Sequence, residues 1–335
     1  MKDLMTPIER RRAWLAGEAI DRLPMSLFHQ AFAAGLAGMG YRESERDADL
    51  LLKRETTMYQ TYGIDQVTIV YSNLRQNTAN FVRSLDQVDQ LDPADYTIDK
   101  DPRQQINHRA LEMIYDALGN EVNICHGINA PLTLAGGIVP PERLLRGTRK
   151  KGDQVHQLLR FTTDVLKQMV DSFSDLGFLD YFVYDPVASG SLISPKQYEE
   201  FALPYTHELI DHIRSRGCRW ISLHICGNTE KSLDKIVKTG VDAFSLDQRV
   251  DLEVAKELVG DQVTLIGNID PVSIFLQGSP AQMDAAVKEV IDKAADSPRG
   301  FIPSGGCGIP KEVPRENMDA FTAAVRKYGA GSLKA

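Results

Sequence analysis

Residues 179–226 read LDYFVYDPVASGSLISPKQYEEFALPYTHELIDHIRSRGCRWISLHIC. Two short runs rich in aromatic and β-branched residues, 179–184 and 219–225, enclose one long helical run, 195–216. Strand, helix and strand in that order imply a right-handed unit with parallel strands. The alternation continues on both sides. Downstream, helical runs at 230–239, 252–258 and 280–295 precede strand-like runs at 241–246, 262–266 and 300–303, and a last helix covers 314–328. Upstream, helices at 48–62, 104–118 and 151–176 precede strands at 65–71, 121–125 and 179–184. A Pro- and Gly-rich loop is expected after residue 125, and residues 72–103 form a long polar connection that should carry some structure of its own. Thr6-Pro7-Ile8-Glu9 has the form of a capping box with Pro at the first helical position, and opens an N-terminal helical extension. The run 24–28 follows it.

That makes eight strand candidates in 335 residues. The expectation is an α/β fold, a (β/α)8 TIM barrel occupying 1–335 as a single domain. An open doubly wound sheet is the alternative, weakened because no Gly-rich dinucleotide loop follows the first strand. Composition excludes other classes. The hydrophobic fraction of 43% supports a large core. No apolar run approaches the length of a membrane span, the N-terminus has no signal-peptide core, and a cytoplasmic location is expected. A net charge of −8 argues against general nucleic-acid binding. Four cysteines are too few for a disulfide scaffold, so each is buried, metal-bound or catalytic.

In a barrel, chemistry lies at the C-terminal ends of the strands. His224 and Cys226 stand two apart at such an end, where strand side chains alternate and both point the same way. Cys307 follows the last strand inside Gly305-Gly306-Cys307-Gly308. One imidazole and two thiolates suit Zn²⁺ with one position open, and copper(I) suits them less. Core packing or coincidence would leave the same pattern, and no general zinc motif fixes the spacing between Cys226 and Cys307. Cys125 and Cys218 read as packing residues. Asp185, at the end of the 179–184 strand, is either a substrate contact or a turn cap. His126 is either a substrate contact or a core histidine. Asn268 and Asp270 end another strand and face the same site, where a carboxylate is a candidate fourth ligand. Tyr198, Phe201 and Tyr205 form a core stripe. Arg143, Arg146, Arg149, Lys150 and Lys151 form a small basic face.

The motif His224-Ile225-Cys226-Gly227-Asn228-Thr229, followed by Gly305-Gly306-Cys307-Gly308-Ile309-Pro310, resembles the zinc-dependent methylcobamide:thiol methyltransferases of the uroporphyrinogen decarboxylase superfamily. The resemblance covers nearly the whole chain: residues 6–24, 126–138, 185–210, 267–271 and 314–321 also fit, though these place only the superfamily. It implies that His224, Cys226 and Cys307 hold Zn²⁺, and that a zinc-activated thiol such as coenzyme M takes the methyl group of a methylated corrinoid, leaving cob(I)amide. It implies that the loop holding Asp185 borders the substrate cavity; His126 and Asn268 are expected on the substrate side from their places at strand ends. The chain lacks an Asp-x-His-x-x-Gly corrinoid motif, so a separate corrinoid protein is the expected partner. Competing readings are a uroporphyrinogen decarboxylase-type lyase, methyl transfer to a non-thiol acceptor such as tetrahydrofolate, and a non-catalytic barrel with a structural zinc. The decarboxylase's substrate-holding arginines are missing from Leu27-Phe28-His29-Gln30-Ala31-Phe32, and its aspartate from Tyr71-Ser72-Asn73-Leu74.

Overall fold

The structure, a computed structural model, describes residues 3–71, 82, 84–177 and 179–331. Among them lie seven strands: β1 (Gln66–Tyr71), β2 (Asn123–Asn129), β3 (Asp180–Tyr184), β4 (Ile221–Ile225), β5 (Ala243–Leu246), β6 (Thr264–Ile269) and β7 (Phe301–Gly305). They form one sheet in chain order, β1 to β7. The pairs β3–β4, β5–β6 and β6–β7 are parallel. A doubly wound sheet reverses its order at a switch point. This sheet does not, so the open alternative falls and the TIM-barrel-like order stands.

The expectation of eight strands needs correction. Residues 24–28 form no strand among the described residues. Met25 and Leu27 are buried there, but the backbone makes single bonds instead of a ladder. The Met25 N–H donates to the Asp65 carboxylate at 2.8 Å, Met25 O accepts from Asp65 N–H, and Phe28 O accepts from Ile309 N–H at 2.8 Å. A side chain has taken a group that a neighbouring strand would need.

Two further segments differ from expectation. The Pro- and Gly-rich stretch after residue 125 is not a loop: β2 runs on through Asn129, and the helices Pro131–Ile138 and Pro141–Lys150 follow. Each starts with Pro at its first position, where the missing N–H costs nothing. The 195–216 helix is broken by a π-helical turn, Tyr198–Ala202, just before Leu203–Ser215. Pro204 supplies the reason, since it cannot donate to the preceding turn. The connection before residue 104 does carry structure, in the 3-10 turns Leu85–Gln90, Pro93–Tyr96 and Ile98–Lys100. No helix is long and apolar enough to cross a membrane among the described residues.

Contacts divide the chain into two compact units. One comprises Met1–Ile69, Arg109–Cys125 and Ala243–Ala335. Its core includes Leu51, Met58, Phe244, Leu265, Phe275, Phe301 and Phe321, all fully enclosed. The capping box at Thr6 forms as expected, with Glu9 N–H donating to Thr6 Oγ1 and Thr6 N–H to Glu9 Oε2. The other unit comprises Val70–His108 and His126–Asp242. There the long helix Gly152–Ser172 packs on Leu203–Ser215 and on Pro131–Ile138, and Leu158, Phe182, Phe201 and Leu209 are buried. Each such side chain contributes about 1.5–3 kcal/mol on leaving water.

The first unit is tied at one carboxylate. Asp65 accepts from Arg10 Nη1, from Arg22 Nη1 at 2.6 Å and from Met25 N at 2.8 Å. Both arginines are buried, so their charge is tolerable only while paired. Asp65→Ala is expected to lower the unfolding free energy by about 3 kcal/mol. Urea denaturation followed by circular dichroism measures this; an unchanged midpoint would show the pairing to be dispensable.

Candidate metal centre

Along β4, Ile221, Leu223 and Ile225 take one face of the sheet, and Ser222 and His224 the other. His224 pairs in register with Tyr184 of β3, and Tyr184 stacks on Phe182 with centroids 5.0 Å apart. The His224 imidazole therefore shares the face of Phe182 and Tyr184. It is buried, and its backbone carbonyl accepts from Asp185 N–H at 2.8 Å. Cys226 lies one residue beyond the strand, half-buried, with Sγ 3.3 Å from His224 Nε2. The chain then turns sharply at Gly227, φ 80°. A side chain would be strained there, and its Cβ would lie 2.6 Å from Ser189 Oγ.

Cys307 is held from both sides. Gly306 N–H donates to Ile269 O at 2.7 Å, and Ile309 N–H donates to Phe28 O. Gly306 also permits a close approach, since a Cβ there would stand 2.5 Å from Gln248 N and 2.8 Å from Gln248 Oε1. The ligand atoms of His224, Cys226 and Cys307 all lie within 4.8 Å of one another. Ligands around a tetrahedral zinc ion stand roughly 3.5–4 Å apart. One imidazole and two thiols form a soft, borderline donor set, which suits zinc and not magnesium or calcium.

The other expected site residues divide by their partners. Asp185 is enclosed at the end of β3. Its Oδ1 accepts from Thr133 Oγ1 at 2.7 Å, and Oδ2 has no partner among the described residues. Burial, against the Thr133 hydrogen bonds, pushes its carboxyl up to about 7. Tyr198 is equally enclosed, and its hydroxyl also lacks a partner among the described residues. Its burial fits a core stripe, and the orphaned hydroxyl is a feature that helical spacing does not show.

Asn268 is used up as a brace. Its Nδ2 donates to Asp247 O at 3.0 Å and to Val250 O at 2.8 Å. Asp270 caps the helical turn Pro271–Leu276, accepting from Val272 N at 2.7 Å and Ser273 N at 2.9 Å. Although burial opposes them, these N–H groups hold its carboxyl below the usual range. Cys125 is buried. Cys218 donates to Trp220 O, and burial pushes its thiol up to about 12. Both fit packing roles.

His126 lies inside β2, not after it. Its ring stacks on Phe173, centroids 4.2 Å apart, and leans on Tyr181. Tyr181 and Tyr184 are three residues apart on one strand and so face opposite ways. His126 thus belongs to the side of the sheet away from His224. Neither ring nitrogen has a partner among the described residues, and burial pushes its pKa down to about 3.

No arginine stands in residues 27–32. His29 there is enclosed, with Nε2 2.9 Å from Glu55 Oε2 and Nδ1 2.9 Å from Leu27 O. Ser72, Asn73 and Leu74, the place of the missing decarboxylase aspartate, lie outside the described residues. Gln248 is a residue the sequence reading passed over. It sits two residues beyond β5, and the rule that chemistry gathers at strand ends would have singled it out.

Fold and site together define a TIM-barrel-like α/β protein with a candidate metal centre at the C-terminal ends of its strands. The profile of the uroporphyrinogen decarboxylase (URO-D) family matches residues 75–328, and the chain belongs to that family. It is 28% identical to the methylcobamide:CoM methyltransferase MtbA of Methanosarcina mazei, over 96% of this chain and 98% of that one. It is 29% identical to a uroporphyrinogen decarboxylase of Pseudoalteromonas atlantica, over 69% of this chain and 66% of that one. A solved methyltransferase from Methanosarcina mazei superposes with a TM-score of 0.84 at 23% identity, covering 97% of this chain and all of that one. That likeness supports the fold.

Two substitutions separate packing from ligation. His126→Phe keeps the stacking on Phe173 and removes two unpaired buried nitrogens, so stability at pH 7 should rise by about 1–3 kcal/mol. The folded ring stays neutral down to about pH 3, whereas the unfolded ring takes a proton below its ordinary 6.5. Wild-type stability therefore falls as pH drops from 6.5 towards 3, and the advantage of His126→Phe widens over that window. Thermal unfolding between pH 4 and 8 reads this, and a loss of activity in a well-folded variant would restore a substrate role. Gly306→Ala should push the Cys307 loop off Gln248 and lower zinc affinity at least tenfold, as a chromophoric chelator competition would measure.

Proposed function

We propose that the chain is a methyltransferase that moves the methyl group of a methylated corrinoid to a thiol, with His224, Cys226 and Cys307 as the ligands of one zinc ion. The observation that carries this is the donor set: one imidazole and two thiols gathered where the strands end. Relatives named as methylcobamide:CoM methyltransferases support it, because they match over nearly the whole of both chains. The decarboxylase relatives match over about two thirds of theirs, and the arginines needed to hold several carboxylates are absent from residues 27–32.

Zinc held by this set would lower the pKa of a thiol in the fourth position, so that sulfur is available as an anion near neutrality. The chain's own part is positioning. β4 fixes the imidazole through its register with β3, and the Ile269 and Phe28 carbonyls fix the backbone around Cys307. The Cys226 and Cys307 thiolates would offset the metal charge, which would keep a third sulfur nucleophilic. In the reaction the acceptor sulfur loses its proton to solvent and forms the new S–C bond. The Co–C bond breaks with its electron pair left on cobalt, giving cob(I)amide and a thioether. Asp270 is occupied as a helix cap, which favours three protein ligands and an open position over a closed structural site.

The chain is read as one barrel domain with one such centre. A separate corrinoid protein is the proposed donor, since the methyl group of a large corrinoid must be brought to a half-buried site. A reducing cytoplasm suits two ligand thiols outside any disulfide.

Purified protein should contain one zinc per chain. Given methylcobalamin and a panel of thiols, it should form cob(I)alamin, followed by absorbance. Cys307→Ala should lose zinc and at least 99% of that activity, roughly the 10²-fold effect expected when positioning fails. A metal-free protein of full activity, or turnover of uroporphyrinogen in place of thiol methylation, would overturn the reading.

A further inference from the structure

Directly after β5 the chain makes a tight turn through Asp247-Gln248-Arg249-Val250. That turn is braced from within its own unit. Asn268 Nδ2 spans it, donating to Asp247 O on one side of Gln248 and to Val250 O on the other. The Asp247 carboxylate closes it by accepting from Arg249 N at 2.9 Å. Gln248 is thereby pressed onto Gly306, the residue before Cys307. Only a glycine leaves room, since a Cβ at that position would stand 2.5 Å from Gln248 N and 2.8 Å from its Oε1.

The carboxamide oxygen of Gln248 is buried and has no hydrogen-bond partner among the described residues. A buried acceptor left unpaired is costly, and native structures rarely keep one without a use. Here the acceptor is held rigidly, its neighbours in the turn are satisfied, and it lies against the peptide that carries a proposed metal ligand. A flexible glutamine on a surface could turn to water; this one is kept in place by both the Asn268 brace and the Gly306 contact.

We infer that Gln248 is a binding residue for the methyl acceptor, its carboxamide oxygen accepting a hydrogen bond from an O–H or N–H group of the thiol bound beside Cys307. This rests on the thiol methyltransferase reading above and adds the chemical class of the acceptor: a small thiol that carries a hydrogen-bond donor near its sulfur. A site that presents a fixed acceptor discriminates strongly against an analogue lacking the donor, because the acceptor is then left bare.

Two thiols of nearly equal shape provide the test. 2-Mercaptoethanol carries a hydroxyl where 1-propanethiol carries a methyl group. Titration calorimetry with zinc-loaded protein should show 2-mercaptoethanol binding about tenfold more tightly than 1-propanethiol. Gln248→Met keeps the length of the side chain without an oxygen acceptor, and should bring the two affinities together at unchanged zinc content. Gln248→Glu restores an oxygen in the same place, and should recover the preference. In methyl transfer from methylcobalamin, Gln248→Met should raise the KM for 2-mercaptoethanol about tenfold and leave kcat at saturating thiol close to wild type. Equal affinities of the two thiols for wild-type protein would overturn the inference, whatever the variants do. So would an unchanged preference in Gln248→Met. Failure of the underlying reading looks different: neither thiol binds or is methylated by the zinc-loaded wild type, and the role of Gln248 falls with it.

Discussion

Everything chemical in this protein is sorted by the two-residue period of a strand. The register that sets Tyr184 of β3 beside His224 of β4 decides which imidazole meets a thiol and which meets a phenylalanine. His224 falls on the side of Phe182 and Tyr184, with Cys226 next on the same side. His126 falls with Tyr181 on the other side and is wrapped by rings. A slip of one residue of β4 against β3 would turn the His224 imidazole to the other face. The candidate metal centre is therefore a property of strand pairing before it is a property of the loops that carry the cysteines.

Strand pairing alone does not bring backbone close to backbone. That task falls to two glycines, for different reasons. Gly227 turns the chain in a left-handed conformation immediately after Cys226, whereas Gly306 leaves space for the turn after β5. Around them, single hydrogen bonds from main chain to main chain hold the loops in place. Polar side chains that a casual reading would assign to ligand contact, Asn268 and Asp270, are consumed in this bracing.

Much of this was legible in the sequence. The alternation of short β-rich runs with longer helices gave the barrel-like order. Placement at strand ends separated Cys226 and Cys307 from Cys218, which precedes its strand. The missing arginines at 27–32 argued against a decarboxylase. The rest was hidden because it depends on partners far away in the chain. Residues 24–28 look like a strand, but the Asp65 carboxylate claims the Met25 N–H, and no local pattern reports that. His126 and Asn268 sit near strand ends by number, yet β2 and β6 run further than their composition suggested. Gln248 was overlooked because a lone glutamine carries no motif; its meaning comes from the unpaired oxygen.

The hydrogen bond from Ile309 N–H to Phe28 O joins two segments made far apart in synthesis. The proposed metal ligand on the later segment, Cys307, is seated partly by the earlier one, which must wait in place until the later one is made. Contacts of such long sequence separation form slowly, because the loop they close is large. His224 and Cys226 are already neighbours in a nascent chain, while Cys307 arrives later than both. Seating of this third proposed ligand is thus a late event in folding, and a cell that loaded metal only into the complete set would in effect be inspecting whether the chain had closed upon itself.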